Sequence, residues 1–169
     1  MKDTNYYFHQ TPESLCKDII SNIPFEIDDI VLEPFAGENH FYNNIPEELQ
    51  KHRCEIEDEG GCFKDFDYEG IRPTTIIVNP PFKLNNKNAF WDILMFFADK
   101  RSIKKMYILG SDVCFSSLTP NRMFKLNERS IFINKITTVS VKKWRGRYYV
   151  IEFSRTYNPN FDYYMSNYE

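Results

Sequence analysis

Apolar residues along this chain come in short bursts, and the spacing within a burst changes from segment to segment. Leu15, Ile19 and Ile20 recur at helical intervals behind Thr11-Pro12-Glu13, where Thr11 is suited to cap a helix and Pro12 to occupy its first position. Pro24 ends that segment. Ile30-Val31-Leu32 is a compact apolar run between acidic residues and reads as a buried strand. A turn from Pro34 to Gly37 and a helix from about Glu38 to Leu49 follow. His52–Glu57 reads as the next strand and Cys62–Phe66 as a short third one. Thr74–Val78 is β-branched throughout, the strongest strand pattern in the chain, and it stops abruptly at Asn79-Pro80-Pro81.

In the second half, Phe90, Trp91, Leu94, Met95, Phe97 and Ala98 give residues 88–100 a helical stripe. Lys105–Gly110 reads as a strand and Asn121–Glu128 as a short helix. Ser130–Ile136 and Arg147–Phe153 read as strands close enough to pair antiparallel. Strands alternating with helices predict an α/β fold, a mostly parallel sheet with helices on both faces, closed by an antiparallel edge. Ligands of such sheets bind beyond the carboxyl ends of the strands. That rule gathers the Glu33 turn, the Glu55–Asp58 turn, the Asp65 segment and the Asn79 loop on one rim.

A length of 169 residues suits one domain. No apolar run reaches the roughly 20 residues of a membrane span, and the polar start at Met1–Asn5 lacks a signal-peptide core. The expectation is a cytoplasmic protein without a membrane partner. Four cysteines and three histidines (His9, His40, His52) complete no zinc spacing, so no metal is expected. The net charge of −3 conceals an asymmetry: residues 1–78 carry −11 and residues 79–169 carry +8. A basic half can attract a phosphate backbone.

The chemistry concentrates at Asn79-Pro80-Pro81-Phe82. Two prolines remove two backbone donors and fix φ, and the residue before them is held extended. Such a loop presents the Asn79 side chain and the Pro80 carbonyl as acceptors for one amino group, with Phe82 as a flat apolar neighbour. A planar amine on an aromatic base fits that arrangement. Accepting both of its N–H bonds favours a more tetrahedral nitrogen with an exposed lone pair, and no covalent intermediate is required.

Asn-Pro-Pro-Phe after a hydrophobic strand resembles the catalytic motif of amino-methyltransferases, the N6-adenine enzymes above all. Further segments match in order. Glu33-Pro34-Phe35-Ala36-Gly37 resembles the family's cofactor loop, with Asn39 standing where a second glycine is common. Glu55-Ile56-Glu57 resembles the acidic end of the second strand that takes the cofactor's ribose, Glu55 ahead of Glu57. Asp65-Phe66 resembles the adenine-binding pair, with Asp67 as an alternative. Thr11-Pro12 resembles the segment that contacts the methionine portion, in the order of γ-type and Dam-like enzymes. The resemblance runs from about residue 6 to 155.

The resemblance implies a Rossmann-like class I methyltransferase with a seven-stranded sheet and an antiparallel edge strand. It divides one domain into the N-terminal segment 1–24, a cofactor half 25–78, a catalytic and substrate half 79–157 and a tail 158–169. It implies S-adenosylmethionine as cofactor, bound by Thr11, Glu33, Pro34, Phe35, Ala36, Gly37, Glu55, Asp65, Phe66 and Asn79. Asn79, Pro80, Pro81 and Phe82 would form the catalytic loop. The reaction would be direct methyl transfer to the N6 amine of a flipped adenine. Lys83, Lys87, Lys142, Lys143, Arg145 and Arg147, interleaved with Trp144, Tyr148 and Tyr149, are the expected nucleic-acid contacts.

The chain has no room for a target-recognition domain. Specificity is therefore short, supplied by a partner subunit, or set by a structured RNA. DNA stands ahead of RNA as substrate, with protein glutamine methylation and a non-catalytic binding subunit as the other readings. The residue usage suggests an AT-rich coding genome, such as a phage or another mobile element, which would put the protein with the host nucleic acid.

Overall fold

The computed structural model describes residues 10–55, 63–81, 83–84, 87–142 and 144–161, with the backbone alone at 83–84 and 87–88. The chain opens with α1 (Glu13–Ser21), β1 (Ile30–Glu33), α2 (His40–Asn44), β2 (Gln50–Arg53), α3 (Tyr68–Ile71) and β3 (Thr75–Val78). After β3 come β4 (Lys83–Leu84), β5 (Lys87–Asn88), α4 (Ala89–Ala98), β6 (Lys105–Ser111), α5 (Asp112–Ser116), α6 (Pro120–Asn127), β7 (Phe132–Val139) and β8 (Tyr148–Ser154).

One six-stranded sheet runs in the order β2-β1-β3-β6-β8-β7. The first four of these strands are parallel, and β8 is antiparallel to both of its neighbours. All four residues of β3 are buried, as a central parallel strand covered on both faces requires. Side chains alternate between two cores. On one face Leu32, Ile76, Met106, Ile108 and Ile151 meet α4 and α6 through Phe90, Leu94, Phe97 and Leu126. On the other, Val31, Ile77, Leu109 and Val150 meet α1 and α2 through Cys16, Ile19, Ile20, Phe41 and Ile45. Helices therefore cover both faces.

Arg155, just beyond β8, ties the lower end of the fold together. Its guanidinium donates to the carbonyls of Ile103, Arg129, Ala98 and Lys100 at 2.7–3.1 Å. Four carbonyls from the turn after α4, the end of α6 and the approach to β6 thus converge on one planar donor fork.

Several expectations are corrected. The sheet has six strands rather than seven among the described residues. The segment read as a strand at Cys62–Phe66 begins outside them, and residues 63–65 form a turn. Buried Phe63 anchors there against Phe35 and Phe97, and the Asp67 carboxylate accepts from the Gly70 N–H to start α3, which turns the chain away from the sheet. The antiparallel strand, β8, lies inside the sheet, and the edge belongs to β7. β2 starts and ends earlier than His52–Glu57. α2 stops at Asn44 because Ile45 precedes Pro46 and is held extended. Thr11 does not cap α1: Pro12 takes the cap position, with no side-chain hydrogen bond there.

Candidate active site

The parallel strands β1, β2, β3 and β6 all end on one rim. The β1–β2 ladder continues past both strands, with Cys54 N–H donating to the Glu33 carbonyl and Ala36 N–H to the Cys54 carbonyl. This draws the turn after β1 against the segment after β2. There the Glu55 carboxylate accepts from the Gly37 N–H at 2.6 Å. Gly37 has φ +49°, and a Cβ on it would press on the Gln10 side chain at 3.2 Å, so a side chain here would be both strained and crowded. Asn39 also adopts the left-handed conformation, φ +65°, at the position where the related motif carries a second glycine. Asparagine meets that demand better than most residues.

Glu33 points inward and is 2% exposed. Its carboxylate accepts from the Tyr42 N–H at 2.8 Å and so anchors α2. Loss of water pushes its pKa up to about 8; the Tyr42 N–H and Arg53 oppose the rise, and the nearby Glu55 carboxylate adds to it. Phe35 and Ala36 are buried in the same turn. Glu55 is the acidic group that faces the loop backbone at the rim, and Glu57 lies outside the described residues.

Asn79 leaves β3 at the same rim. Its Nδ2 donates to the Thr11 hydroxyl at 2.9 Å, across 68 residues of chain. Thr11 is itself buried, and its carbonyl lies 2.7 Å from His40 Nδ1 on α2. The N-terminal segment is therefore the brace that orients the Asn79 amide. Pro80 is buried and Pro81 half-buried. Phe82 lies outside the described residues. Lys83 and Lys87 sit on a two-residue hairpin, β4–β5, with only their backbone described.

Asp65 is exposed, and Phe66 is half-buried with its ring edge-on to His52 of β2 and to Tyr68. Asp67 is committed to starting α3. Lys142, Arg145 and Arg147 are exposed in the β7–β8 turn, and Lys143 lies outside the described residues. The aromatics between them are not a free platform. Tyr148 is buried and packs with Trp144 against the α1-side core, ring centroids 4.5 Å apart. Tyr149 faces the opposite way, stacks on Phe115 and donates its hydroxyl to Asp112 at 3.1 Å. Arg122 lies over the Trp91 ring and donates to the Ser117 carbonyl, so it braces its own loop. Asp112, which joins β6 to the β7–β8 turn, had no signal in the pattern of residues. Among the described residues, no helix is long and apolar enough to cross a membrane.

No protein-family model matches the chain, and no curated protein is detectably similar in sequence. Solved structures do match its shape. A proposed RNA methyltransferase from Pyrococcus horikoshii superposes with a TM-score of 0.63 at 15% identity, over 88% of this chain and 87% of that one. A proposed class I S-adenosylmethionine-dependent methyltransferase from Listeria monocytogenes gives 0.59 at 11% identity, over 96% of this chain and 64% of the other. TrmK of M. capricolum, solved with S-adenosyl-homocysteine, gives 0.52 at 12% identity, over 89% of this chain and 70% of that one. At these identities the likeness concerns architecture, and the chain has the Rossmann-like α/β fold of class I methyltransferases.

Proposed function

We propose that this protein is an S-adenosylmethionine-dependent methyltransferase acting on the N6 amine of adenine in a nucleic acid. The observation that carries the reading is the braced amide of Asn79 at the carboxyl end of β3, beside the Gly37–Glu55 contact. Both loops flank the point where the sheet order reverses, between β1 and β3, which is the ligand crevice of open α/β sheets.

The residues present fit the cofactor. Gly37 keeps the loop free of a side chain, and a carboxylate that accepts one N–H retains capacity for ribose hydroxyls. Thr11, Phe35, Ala36, Asp65 and Phe66 complete the set that would hold it. When bound, S-adenosylmethionine supplies an electrophilic methyl on a sulfonium centre. The chain's own task is to present the amine. With Nδ2 committed to Thr11, the Asn79 amide offers Oδ1 as its accepting end, and the Pro80 carbonyl is the second acceptor. Two such acceptors take the two N–H bonds of a flipped adenine and turn its nitrogen lone pair toward the methyl. Phe82 would stack on the base.

DNA is the first substrate reading. RNA is the second, favoured by the name of the Pyrococcus structure. Incubation with methyl-labelled cofactor and either duplex DNA or total RNA, followed by nucleoside mass spectrometry, tests both. N6-methyladenosine in RNA alone would exclude DNA, and label in neither would overturn the proposal.

A further inference from the structure

The β7–β8 turn presents Lys142, Arg145 and Arg147 to solvent, and none of the three forms an ion pair among the described residues. Beneath them stands an acidic residue. The Asp112 carboxylate accepts from the Arg147 N–H at 3.3 Å and from the Tyr149 hydroxyl at 3.1 Å. The Asp112 N–H donates in turn to the Arg147 carbonyl at 3.0 Å. Gly146, at φ +93°, turns the backbone beside this carboxylate: a Cβ there would lie 4.0 Å from Asp112 Oδ2.

A negative charge under a cationic turn weakens its pull on a polyanion. Its placement therefore calls for a geometric reason, and the contacts supply one. Asp112 follows β6 directly, and β6 is the neighbour of β3, which leads directly into Asn79. Strands lie about 4.8 Å apart, so the turn at the start of β8 stands on the order of 10 Å to the side of the catalytic loop. At a rise of about 3.4 Å per nucleotide, that is about three nucleotides of one duplex strand.

We infer that Asp112 is a positioning residue. It fastens the β7–β8 turn to the rim so that its cations meet the phosphates flanking the target adenine. The inference rests on the nucleic-acid reading above.

Asp112→Asn separates this role from simple electrostatics, because the two demand opposite signs. The amide removes a charge that opposes substrate, but it also gives up accepting capacity at the staple. Steady-state kinetics would use the adenine-containing oligonucleotide, duplex DNA or single-stranded RNA, that the wild type methylates. The KM for that oligonucleotide should rise about five- to tenfold in Asp112→Asn, with kcat and cofactor affinity within twofold of wild type. Tyr149→Phe, which keeps the ring packing, should move KM the same way by less, and Asp112→Glu should restore part of the loss. An unchanged or lowered KM in Asp112→Asn, with an active wild type, overturns the inference alone. A wild type that methylates neither oligonucleotide overturns the functional reading beneath it as well.

Discussion

Glu33 makes the stability of this fold depend on pH in a direction that can be measured. Its carboxyl, ordinarily near 4.5, is raised to about 8 by burial. The folded state therefore holds the proton more tightly than the unfolded chain does. The stability linked to this group is complete below about pH 4.5 and is lost as pH rises through about 8. The interval corresponds to about 5 kcal/mol in full, of which about 3–4 kcal/mol falls between pH 5 and 8. Glu33→Gln keeps the length of the side chain and an oxygen to accept from the Tyr42 N–H, but it cannot ionise. Any cost of seating the amide is constant with pH, so the slope is the test. Urea denaturation of both proteins at pH 5, 6, 7 and 8 should show the variant gaining about 3–4 kcal/mol on the wild type from the lowest to the highest pH. Groups such as His52, whose pKa burial lowers, titrate in both proteins and cancel in the difference. A difference constant to within about 1 kcal/mol would refute the claim that Glu33 is buried and protonated in the folded state.

Further substitutions probe the site and its frame. Asn79→Ala should lower kcat by about 100-fold or more while cofactor affinity, read by calorimetry, stays within a few-fold; near-normal turnover would remove Asn79 from the chemistry. Glu55→Ala should weaken cofactor binding about tenfold or more in the same calorimetric assay, and the Glu57→Ala counterpart should not. Arg155→Ala removes a donor fork shared by four carbonyls and should cost about 2–4 kcal/mol in urea denaturation. Arg155→Lys should recover only part, because one ammonium cannot span the same fork.

The readable parts of this fold are those where burial on both faces forces an unbroken apolar run. β1, β3 and β6 stood out for that reason, and with them the loops at their carboxyl ends. The unread parts depend on partners distant in sequence or on which way a side chain turns. Thr11 looks like a helix cap because a threonine before proline commonly is one, and its bond to Asn79 exists only once the sheet has formed. The expected strand at 62–66 carries two aromatics, but for residues 63–65 the Asp67 cap and the burial of Phe63 make a turn more favourable. Trp144 and Tyr148 among cations resembled a stacking surface. Period-two alternation already argued otherwise, since Tyr148 and Val150 share a face that the core covers.

The charge asymmetry gains its meaning from the topology. β1 and β2, from the acidic stretch 1–78, lie on one side of β3, and β6, β8 and β7, from the basic stretch, lie on the other. A division along the chain thus becomes a division across the sheet, with Asn79 at the seam. Such a split suits the two ligands proposed. A cofactor that offers ribose hydroxyls and carries positive charge at its sulfonium and amino groups is best met by acceptors such as Glu55. A polyanion is repelled from that side and drawn to the other. On the proposed function, the target adenine would reach the loop from the basic half and the methyl from the acidic half, so the amine and its methyl donor would meet where the two fields change sign. Raised ionic strength should then weaken nucleic-acid binding far more than cofactor binding, and equal salt sensitivity of the two would speak against the division of labour.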